Sequence, residues 1–389
     1  MGFSLVQTNP DSKARVGELI TPHGAVPTPV FLPVGSQATV KTLIPEELKE
    51  IGVPMILANT YHLYLRPGIS VIEKMGGLHK FMAWDRPILT DSGGYQIFSL
   101  AALRKVNDEG VLFRSHIDGS EHLITPELII QFQETLGADI IMVLDECPAH
   151  DDSLEQVRRA MTRTHHWAER CQQAQKCSDQ ALYAIVQGGI FPELRRQSAE
   201  YLTSLEFAGY AIGGLSLGEP KRVTLSMIEA TVASLPADKP RYLMGVGSPE
   251  GLLEGVARGI DIFDSALPTR VARNGALFTW EGRRNISNAV YRQMDQPIVP
   301  GCDCYTCRTF SAAYLRHLFS CNELLGYRLA TIHNLSFMHN LMRKIRNAIL
   351  DGTFSTFKDN FMANYQPTNE TVRLDQKKKW LESRSSGQD

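Results

Sequence analysis

The feature that most constrains the fold is a regular alternation of short apolar runs with amphipathic helical stretches along the first two thirds of the chain. Such alternation indicates parallel βα units, and eight units suggest a closed α/β barrel, the (β/α)8 TIM barrel. An open doubly wound sheet is disfavoured because no Gly-x-Gly-x-x-Gly turn follows the first run. The eight runs cover residues 30–34, 55–58, 88–90, 140–144, 182–186, 210–212, 242–246 and 260–263.

Segments outside the alternation predict additions to the barrel. Short strands around residues 3–7 and 16–20 form an N-terminal strand segment. A β-hairpin at about 110–125 is inserted after the third barrel strand. We therefore expect a catalytic barrel at 1–274 and a helical C-terminal subdomain at 275–389 that packs on it.

These two parts differ in charge. Residues 265–389 carry 17 Lys and Arg against 10 Asp and Glu, whereas residues 1–264 carry 23 against 32. A basic C-terminal part suggests a surface that faces a polyanion such as a nucleic acid. The alternative is that Lys377-Lys378-Lys379 is a solvated helix end. We expect the last 25 residues, rich in Lys, Gln and Ser, to fray.

Composition excludes several classes of protein. Hydrophobic residues make up 43% of the chain and charged residues 21%, as in ordinary globular proteins. No apolar run approaches the roughly 18 residues that cross a bilayer. The first residues lack the charged start and apolar block of a signal peptide. We therefore expect a cytoplasmic protein with no membrane partner.

Three of the seven cysteines lie within six positions, which favours a metal site over a disulfide scaffold. Cys302-x-Cys304-x-x-Cys307, followed by His333, supplies three thiolates and an imidazole. These four ligands are the donor set of a closed tetrahedral zinc site, which is structural because no position is left for water. On spacing alone, three other residues could replace His333: His317, His339 and Cys321.

The carboxyl ends of the predicted strands should form the active site, as in other barrels of this kind. Three of these ends carry an aspartate: Asp91, Asp145 and Asp264. Bringing three carboxylates to one barrel mouth is costly unless they have a function, since like charges raise one another's pKa. A helix N-cap explains any one of them. It explains all three poorly, because each follows a long apolar run.

Other residues near the strand ends allow two interpretations. Tyr95 and Met244 are either core residues or contacts to a ligand. Arg270 and Arg273 are either ordinary surface charges or partners for a phosphodiester backbone. The Gly-rich loop at 245–248 is a weak candidate for phosphate binding. Three glycine pairs are either tight turns or places where backbone approaches a flat ligand: 93–94, 188–189 and 213–214.

Several independent motifs together resemble the tRNA-guanine transglycosylase family. They occur in order from about residue 3 to about residue 364. Asp145-Glu146-Cys147-Pro148 is similar to the bacterial, homodimeric branch. The other matching motifs are Asp91-Ser92-Gly93-Gly94-Tyr95-Gln96, Gln187-Gly188-Gly189, Ile212-Gly213-Gly214-Leu215, Phe263-Asp264-x-x-Leu267-Pro268-Thr269-Arg270 and the Cys-x-Cys-x-x-Cys and His set.

The resemblance implies a pentosyltransferase that exchanges the wobble guanine of tRNAs with a G-U-N anticodon, which decode Asp, Asn, His and Tyr. The incoming base would be 7-aminomethyl-7-deazaguanine, on the route to queuosine. The chemistry is similar to retaining glycoside hydrolysis, with a base as the second acceptor. Two alternatives are a homologue that inserts queuine and a non-catalytic RNA-binding partner subunit.

The resemblance also implies a role for each candidate residue. Asp264 would attack C1′ of the ribose, and Asp91 would act as general acid and then as general base. Arg270 and Arg273 would hold the anticodon loop, and the zinc subdomain would brace the RNA-binding surface and the dimer contact. Six residues would bind the base: Tyr95 and Met244 on its faces, and Asp145, Gln187, Gly214 and Leu215 at its polar edge.

Two residues depart from the family pattern. Leu217 stands where bacterial members usually have Val, near the part of the pocket that accommodates the 7-substituent. A Leu there would tighten the pocket against the bulky queuine or change its shape. Ser248 stands where many bacterial relatives carry Lys, so one RNA contact would be missing. A polysaccharide hydrolase of the same fold is disfavoured, because carbohydrate sites display many exposed aromatics and the chain has only four Trp.

Overall fold

The computed structural model describes residues 1–100, 104–369, 371, 372 and 375. From residue 376 onward, where we expected a frayed end and the Lys377-Lys378-Lys379 run, the chain lies outside the described residues. In chain order the strands are β1 (Gly2–Thr8), β2 (Arg15–Thr21), β3 (Gly24–Thr28), β4 (Val30–Gly35), β5 (Ile56–Asn59), β6 (Ile88–Asp91), β7 (Arg104–Val106), β8 (Val111–Arg114), β9 (Glu121–Ile124), β10 (Ile140–Met142), β11 (Ala181–Val186), β12 (Gly209–Ile212), β13 (Arg241–Leu243), β14 (Ile262–Ser265), β15 (Ala276–Thr279) and β16 (Gly282–Asn285).

Helices follow most of the barrel strands and make up most of the C-terminal part. A 3-10 helix at Ala289–Gln293 lies between β16 and α12. The α-helices are α1 (Pro45–Ile51), α2 (Thr60–Leu65), α3 (Ile69–Lys74), α4 (Leu78–Met82), α5 (Gly94–Leu100), α6 (Pro126–Leu136), α7 (Leu154–Ala174), α8 (Pro192–Ser204), α9 (Lys221–Val232), α10 (Pro249–Ala257), α11 (Leu267–Arg273), α12 (Tyr305–Thr309), α13 (Ala312–Ser320), α14 (Leu324–Leu350) and α15 (Phe354–Asn364).

Eight parallel strands close into a barrel in the order β4-β5-β6-β10-β11-β12-β13-β14. Closure comes from pairing of β14 with β4, in the register of Ile262 with Val30 and Asp264 with Leu32. Strands covered on both faces read as continuous apolar runs, and all six residues of β11 are buried accordingly. The predicted (β/α)8 barrel is confirmed.

The additions to the barrel are larger than the sequence pattern indicated. The N-terminal segment is a three-stranded antiparallel sheet of β1, β2 and β3. In the insertion after the third barrel strand, β7 pairs with the predicted hairpin of β8 and β9. The run at 242–246 is only partly strand: β13 ends at Leu243, and Gly245 turns the chain with a positive φ of 76°.

The 27-residue helix α14 joins the C-terminal part to the barrel. Near its start, Leu329 and Ala330 pack with Cys304 and Cys307 in a small apolar cluster. Farther along, α14 contributes side chains such as Met338 to the main core of the barrel. One rigid helix therefore fixes the cysteine loop relative to the barrel. None of the described helices is long and apolar enough to cross a membrane.

Candidate active site

The barrel order brings the candidate polar residues together at the carboxyl ends of neighbouring strands. Asp91 ends β6, and Asp145, Gln187 and the Gly213-Gly214-Leu215 segment follow β10, β11 and β12, which are consecutive in the barrel. Asp264 lies within β14, two strands farther around. The predicted aspartates therefore meet at one mouth.

Tyr95 and Met244 lie on opposite sides of this mouth. Tyr95 is half-buried on the first turn of α5, directly after β6, and Met244 directly follows β13. Because β6 and β13 are four positions apart in an eight-stranded barrel, they face each other across it. Part of Met244 packs on the barrel core. The two residues therefore lie on opposite sides of the mouth.

Asp91 is held at the end of β6 by three neutral donors. Nδ2 of Asn59 and Nε2 of Gln96 donate to its Oδ2, the latter at 2.9 Å, and the N–H of Thr60 donates to Oδ1 at 3.2 Å. Burial raises the pKa of Asp91 to about 7, and the charge of Asp264 acts in the same direction against the side-chain hydrogen bonds. A carboxyl group with this pKa gains and loses a proton near neutral pH, as a general acid and base must.

Asp264 has one fixed oxygen and one without a protein donor. Its Oδ1 accepts the hydroxyl of Tyr242 at 2.6 Å and the N–H of Gly245 at 2.8 Å. Its Oδ2 accepts no hydrogen bond from the residues that the structure describes. Burial raises the pKa of Asp264 against these two hydrogen bonds. Tyr242 stays protonated, because burial and the charges of Asp264 and Asp91 raise its pKa well above the usual value.

Asp145 and Gln187 form a buried polar pair at the ends of β10 and β11. Nε2 of Gln187 donates to Oδ2 of Asp145 at 2.7 Å. Burial raises the pKa of Asp145 to about 6, against hydrogen bonds from Gln187 and Ser92. Oε1 of Gln187 is buried and has no hydrogen-bond partner among the described residues. An unpartnered buried acceptor costs roughly 1–3 kcal/mol, so this pair is suited to a ligand that brings hydrogen-bond donors.

Glycines leave the room that this pair needs. A Cβ on Gly94 would collide with the carboxylate and carbonyl oxygens of Asp145, and a Cβ on Gly214 would collide with Oε1 of Gln187. A Cβ on Gly213 would lie 2.8 Å from Nε2 of Gln187. The pairs at 93–94 and 213–214 therefore bring backbone into contact with the polar pair, beyond turning the chain.

The loop after β12 is held by Glu219. Its carboxylate accepts the N–H groups of Ser216, of Leu217 at 3.0 Å and of Gly218 at 3.2 Å, and the hydroxyl of Thr224 at 2.5 Å. Burial would raise the pKa of Glu219, but these hydrogen bonds hold it below its usual value. Leu217, which departs from the family pattern, therefore lies on a fixed loop with its side chain half-buried.

The two candidate RNA-binding arginines lie on α11, directly after β14. Arg270 is exposed, whereas Arg273 is half-buried and donates from Nη1 to the carbonyl oxygen of Thr269 at 2.9 Å. In the loop at 245–248, the N–H of Gly245 donates a hydrogen bond to Asp264 of β14. Oγ of Ser248 caps α10 through the N–H of Gly251 at 3.3 Å.

The predicted metal ligands meet in one cluster. Nδ1 of His333 lies 3.9, 3.5 and 3.3 Å from the sulfur atoms of Cys302, Cys304 and Cys307. A tetrahedral zinc ion with ordinary bond lengths separates such atoms by about 3.6 Å, so the four residues fit zinc. Nε2 of His333 lies 2.8 Å from the carbonyl oxygen of Phe278, so it carries the proton and leaves Nδ1 for a metal.

The alternative fourth ligands lie elsewhere. Nδ1 of His317 is 3.8 Å from Sγ of Cys321, one turn away on the same segment. His339 packs against Gly52, at the end of α1. Among the alternatives that spacing left open, the structure therefore selects His333.

The sequence predicts no functional role for the residues that hold the candidate side chains in place. Asn59 could be recognised as a polar residue at the end of β5, and Gln96 as a polar residue shortly after β6. Tyr242 is indistinguishable from an ordinary strand residue, and Glu219 lies in a loop with no motif of its own. Arg195 lies on a helix, fully buried beneath the ends of β11 and β12, and no local pattern marks it.

The sequence of this chain, with its barrel and Cys3His cluster, is similar to known proteins over nearly its whole length. A family model described as Queuine tRNA-ribosyltransferase matches residues 11–367. A queuine tRNA-ribosyltransferase of Dehalococcoides mccartyi (strain ATCC BAA-2266 / KCTC 15142 / 195) is 63% identical over 383 residues, which are 98% of either chain. A protein of the same name from Pelotomaculum thermopropionicum is 56% identical over 366 residues, 94% of this chain and 99% of the relative.

The chain belongs to the queuine tRNA-ribosyltransferase family. This confirms the resemblance to tRNA-guanine transglycosylases and the prediction of an enzyme of the pentosyltransferase class. A third relative with the same name, from Thermoanaerobacter sp. (strain X514), is 56% identical over 364 residues, 93% of this chain and 97% of its own.

Proposed function

We propose that this protein replaces the wobble guanine of G-U-N anticodon tRNAs with 7-aminomethyl-7-deazaguanine, through a covalent intermediate between Asp264 and the ribose. The observation that carries the proposal is the meeting of three aspartates with different hydrogen-bond partners at one barrel mouth. Family membership supports ribosyl transfer on tRNA. Because mature tRNA is a cytoplasmic substrate, we also propose a cytoplasmic location.

The polar groups of the mouth match the edge of guanine. Guanine offers a ring N–H and an amino group as donors and O6 as an acceptor. The carboxylate of Asp145 and the unpartnered Oε1 of Gln187 accept from the donors, and the N–H groups of Gly214 and Leu215 suit O6. We therefore assign recognition of the base edge to these side-chain and backbone groups. Tyr95 and Met244, across the mouth from each other, cover the two faces of the ring.

Asp264 suits the role of nucleophile. Its Oδ2, free of protein donors, forms a bond to C1′ of the ribose while the bond from C1′ to N9 of guanine breaks. The electron pair of that bond leaves with guanine. In the second half-reaction the incoming base displaces the carboxylate from C1′, so one glycosidic bond is lost and one is made. Tyr242 and Gly245 steady the carboxylate at its other oxygen.

Asp91 suits the proton transfers that accompany these steps. It gives a proton to the departing guanine and takes one from the incoming base, so it ends each cycle as it began. A pKa of about 7 lets it hold either state at working pH. Once Asp264 is esterified, its charge no longer raises the pKa of Asp91, which favours the deprotonated form that the incoming base needs.

The tRNA anticodon loop is the proposed macromolecular partner. Arg270 and Arg273 stand beside the strand that carries the nucleophile, and Arg283 and Arg284 are exposed on β16 nearby in the chain. Cations at these places hold phosphates without reading sequence. A loop substrate also lowers the cost of moving the target base out of its stack.

We propose one structural zinc ion per chain, held by Cys302, Cys304, Cys307 and His333. When bound, the ion cross-links the cysteine loop to α14. Metal analysis of purified protein should give about one zinc per chain, and Cys302→Ser should lose it. Full zinc retention by Cys302→Ser, or purified folded protein without zinc, would overturn this assignment.

We also propose a homodimer. Large apolar side chains are exposed on the C-terminal part: Leu324 is 78% exposed, and Tyr305 and Leu325 line a groove with α1. Light scattering coupled to size exclusion should give twice the 43.4 kDa chain mass. Leu324→Glu should shift the protein to monomer. A monomeric wild type at assay concentration would contradict the proposal.

The test of the proposed function is exchange of radiolabelled guanine into unmodified tRNA with a Tyr anticodon. Incorporation should be confined to the wobble position, and a transcript with that guanine changed to adenine is the control. No incorporation by folded, zinc-loaded protein would overturn the proposal and favour a non-catalytic partner subunit.

The same assay distinguishes the incoming bases. Competition by 7-aminomethyl-7-deazaguanine should exceed competition by queuine, because the family resemblance puts Leu217 near the 7-substituent, where a side chain larger than Val would tighten the pocket against a bulky group. Leu217→Val is the matched variant and should narrow the difference. Stronger competition by queuine would instead identify a queuine-inserting enzyme.

A further inference from the structure

A fully buried arginine lies beneath the proposed base-recognition loop. Arg195 belongs to α8 and is 0% exposed. Its Nη1 donates to the carbonyl oxygens of Val186 at 3.0 Å and Gly213 at 2.7 Å. Its Nη2 and Nε donate to those of Gly214 at 3.3 Å and Gly189 at 2.9 Å. One guanidinium group therefore ties together the carboxyl ends of β11 and β12.

The partners of Arg195 are all neutral. Among the described residues it forms no ion pair with a carboxylate. Burial lowers the pKa of Arg195 to about 10, while nearby Cys147 and Glu219 act in the opposite direction, so the group stays protonated at neutral pH. A buried cation without an ion-pair partner is costly, and an apolar residue could fill the same space. The arginine at this position therefore needs a reason beyond packing.

Peptide geometry supplies that reason. In a planar trans peptide the carbonyl and the following N–H point in opposite directions. Because the carbonyl groups of Gly213 and Gly214 point at Arg195, the N–H groups of Gly214 and Leu215 point away from it. Neither amide donates to another group in the part of the chain that the structure describes. Gly214 itself is only half-buried, at the mouth.

We propose that Arg195 is a positioning residue for base recognition, which turns the N–H groups of Gly214 and Leu215 toward the acceptor edge of a guanine-like base. This inference rests on the proposed function. Glu219 fixes the next three amides of the same loop in the other sense, by accepting them. Arg195 and Glu219 together orient one continuous stretch of backbone, with donors free only where the base is expected.

Arg241 offers a matched control at the opposite end of the barrel. It is also buried, at 7% exposure, and it donates to the carbonyl oxygens of Leu235 at 3.2 Å and Pro236 at 3.0 Å. It lies at the start of β13, away from the mouth. Substitution of either arginine removes a buried guanidinium from backbone carbonyls, but only Arg195 lies next to the proposed base-recognition loop.

The test is a kinetic comparison of Arg195→Lys and Arg241→Lys in the guanine-exchange reaction. A lysine keeps the charge, but a single ammonium cannot satisfy four carbonyls in the fork geometry of arginine. For Arg195→Lys we expect KM for guanine to rise by about tenfold or more, the effect of misdirecting two hydrogen bonds. KM for tRNA should stay within about twofold. Arg241→Lys should lower the unfolding midpoint but leave KM for guanine unchanged.

A folded Arg195→Lys protein with wild-type KM for guanine would overturn the inference. So would an equal rise in Arg241→Lys, because loss of general stability would then explain both. If Arg195→Lys does not fold, hydrogen exchange of the wild-type protein decides: guanine should slow exchange in a peptide covering 213–215, and bound guanine without such protection overturns the inference. A wild type that exchanges no guanine overturns the proposed function first, which separates the two failures.

Discussion

Two aspartates flank strand β10, one at each end of the barrel, and their pKa values are shifted in opposite directions. Asp139, before the strand, lies 2.9 Å from Nδ1 of His23 and 3.4 Å from Nε2 of His79, and it accepts the N–H of Ile88 at 2.8 Å. Burial alone would raise its pKa, but these partners hold it at about 2. Asp145, beyond the strand, has neutral donors only, and burial raises its pKa to about 6.

The two aspartates at strand β14 differ in their hydrogen-bond partners, although burial raises the pKa of both. Asp261, just before it, forms a buried ion pair with Arg15 at 2.6 Å and accepts the N–H of Arg241 at 2.7 Å. Asp264, within it, accepts from the hydroxyl of Tyr242 and the N–H of Gly245. At the amino end, the partners of the two aspartates include histidine or arginine side chains, and these contacts stabilise the fold. At the carboxyl end, the aspartates accept hydrogen bonds from neutral donors, which leaves carboxylates ready for a ligand and for proton transfer.

The largest effect should come from Asp264→Asn, which removes the proposed nucleophile at the carboxyl end. An amide does not displace a base from C1′, so we expect guanine exchange to fall on the order of 10³-fold or more. The unfolding midpoint should move little, because Asn keeps an oxygen for Tyr242 and Gly245. Exchange above about a tenth of the wild-type rate would contradict the assignment.

The matching change at the amino end is Asp261→Asn. It leaves the buried guanidinium of Arg15 without its carboxylate, and such a loss costs about 3–5 kcal/mol. Urea unfolding should show this loss, while KM for guanine and tRNA should stay near wild type. Arg270→Gln, on the exposed surface, is the control for stability. If Asp261→Asn lowers the free energy of unfolding by less than about 1 kcal/mol, the proposed stabilising role of the amino end is contradicted.

The pH dependence of exchange should report Asp91. Its proton is needed by the departing guanine, and the protonated fraction falls as pH rises through its pKa of about 7. We therefore expect kcat/KM for tRNA to decline above about pH 7, approaching tenfold per pH unit. Circular dichroism over the same range serves as the control for unfolding. A profile that is flat from about pH 6 to pH 9 would rule out Asp91 as the acid.

The smallest effect should be that of Asp139→Asn, at the amino end. A pKa held near 2 contributes about 2 kcal/mol of stability, present above the unfolded-state value near 4 and lost as pH falls toward 2. Urea unfolding should show that the variant loses free energy of unfolding relative to wild type at pH 6, and that this loss is smaller at pH 3. Asp145→Asn is the matched control and has the opposite sign, because its raised pKa makes the ionised form unfavourable to folding at neutral pH. Equal losses of unfolding free energy in both variants would contradict the proposed difference between the two ends.

Much of the fold was predictable from periodicity. The eight apolar runs predict eight strands because parallel strands are buried on both faces. Eight βα units suggest a closed barrel, and the missing Gly-x-Gly-x-x-Gly turn disfavours an open sheet. The apolar run at 242–246 predicts a longer strand than the structure has, because β13 ends at Leu243. Met244 and Val246 are apolar for reasons other than strand pairing. The third strand of the insertion, β7, is a short polar segment that only its pairing with β8 defines.

In the site, the predictable residues are those with chemistry of their own: the aspartates at strand ends, and the cysteines whose spacing already implies a metal. Spacing could not choose among His317, Cys321, His339 and His333, because ligand identity depends on where α14 packs. Arg195 could not be predicted for a similar reason, because its partners are carbonyl groups at the ends of two strands that only folding brings together. Glu219 accepts N–H groups of its own loop, but no motif in that loop indicates this arrangement.

The sequence alone predicts the number of barrel strands, the candidate catalytic residues, the candidate metal donors and the family, because each follows from a local pattern or a motif. The folded structure is needed to see which oxygen of Asp264 lacks a protein donor, why Asp139 and Asp145 differ in pKa, and which way the amides of the 213–215 loop point. These properties arise from partners brought together by folding. A side chain's charge state depends on its burial and neighbours, and neither is written next to it in the chain.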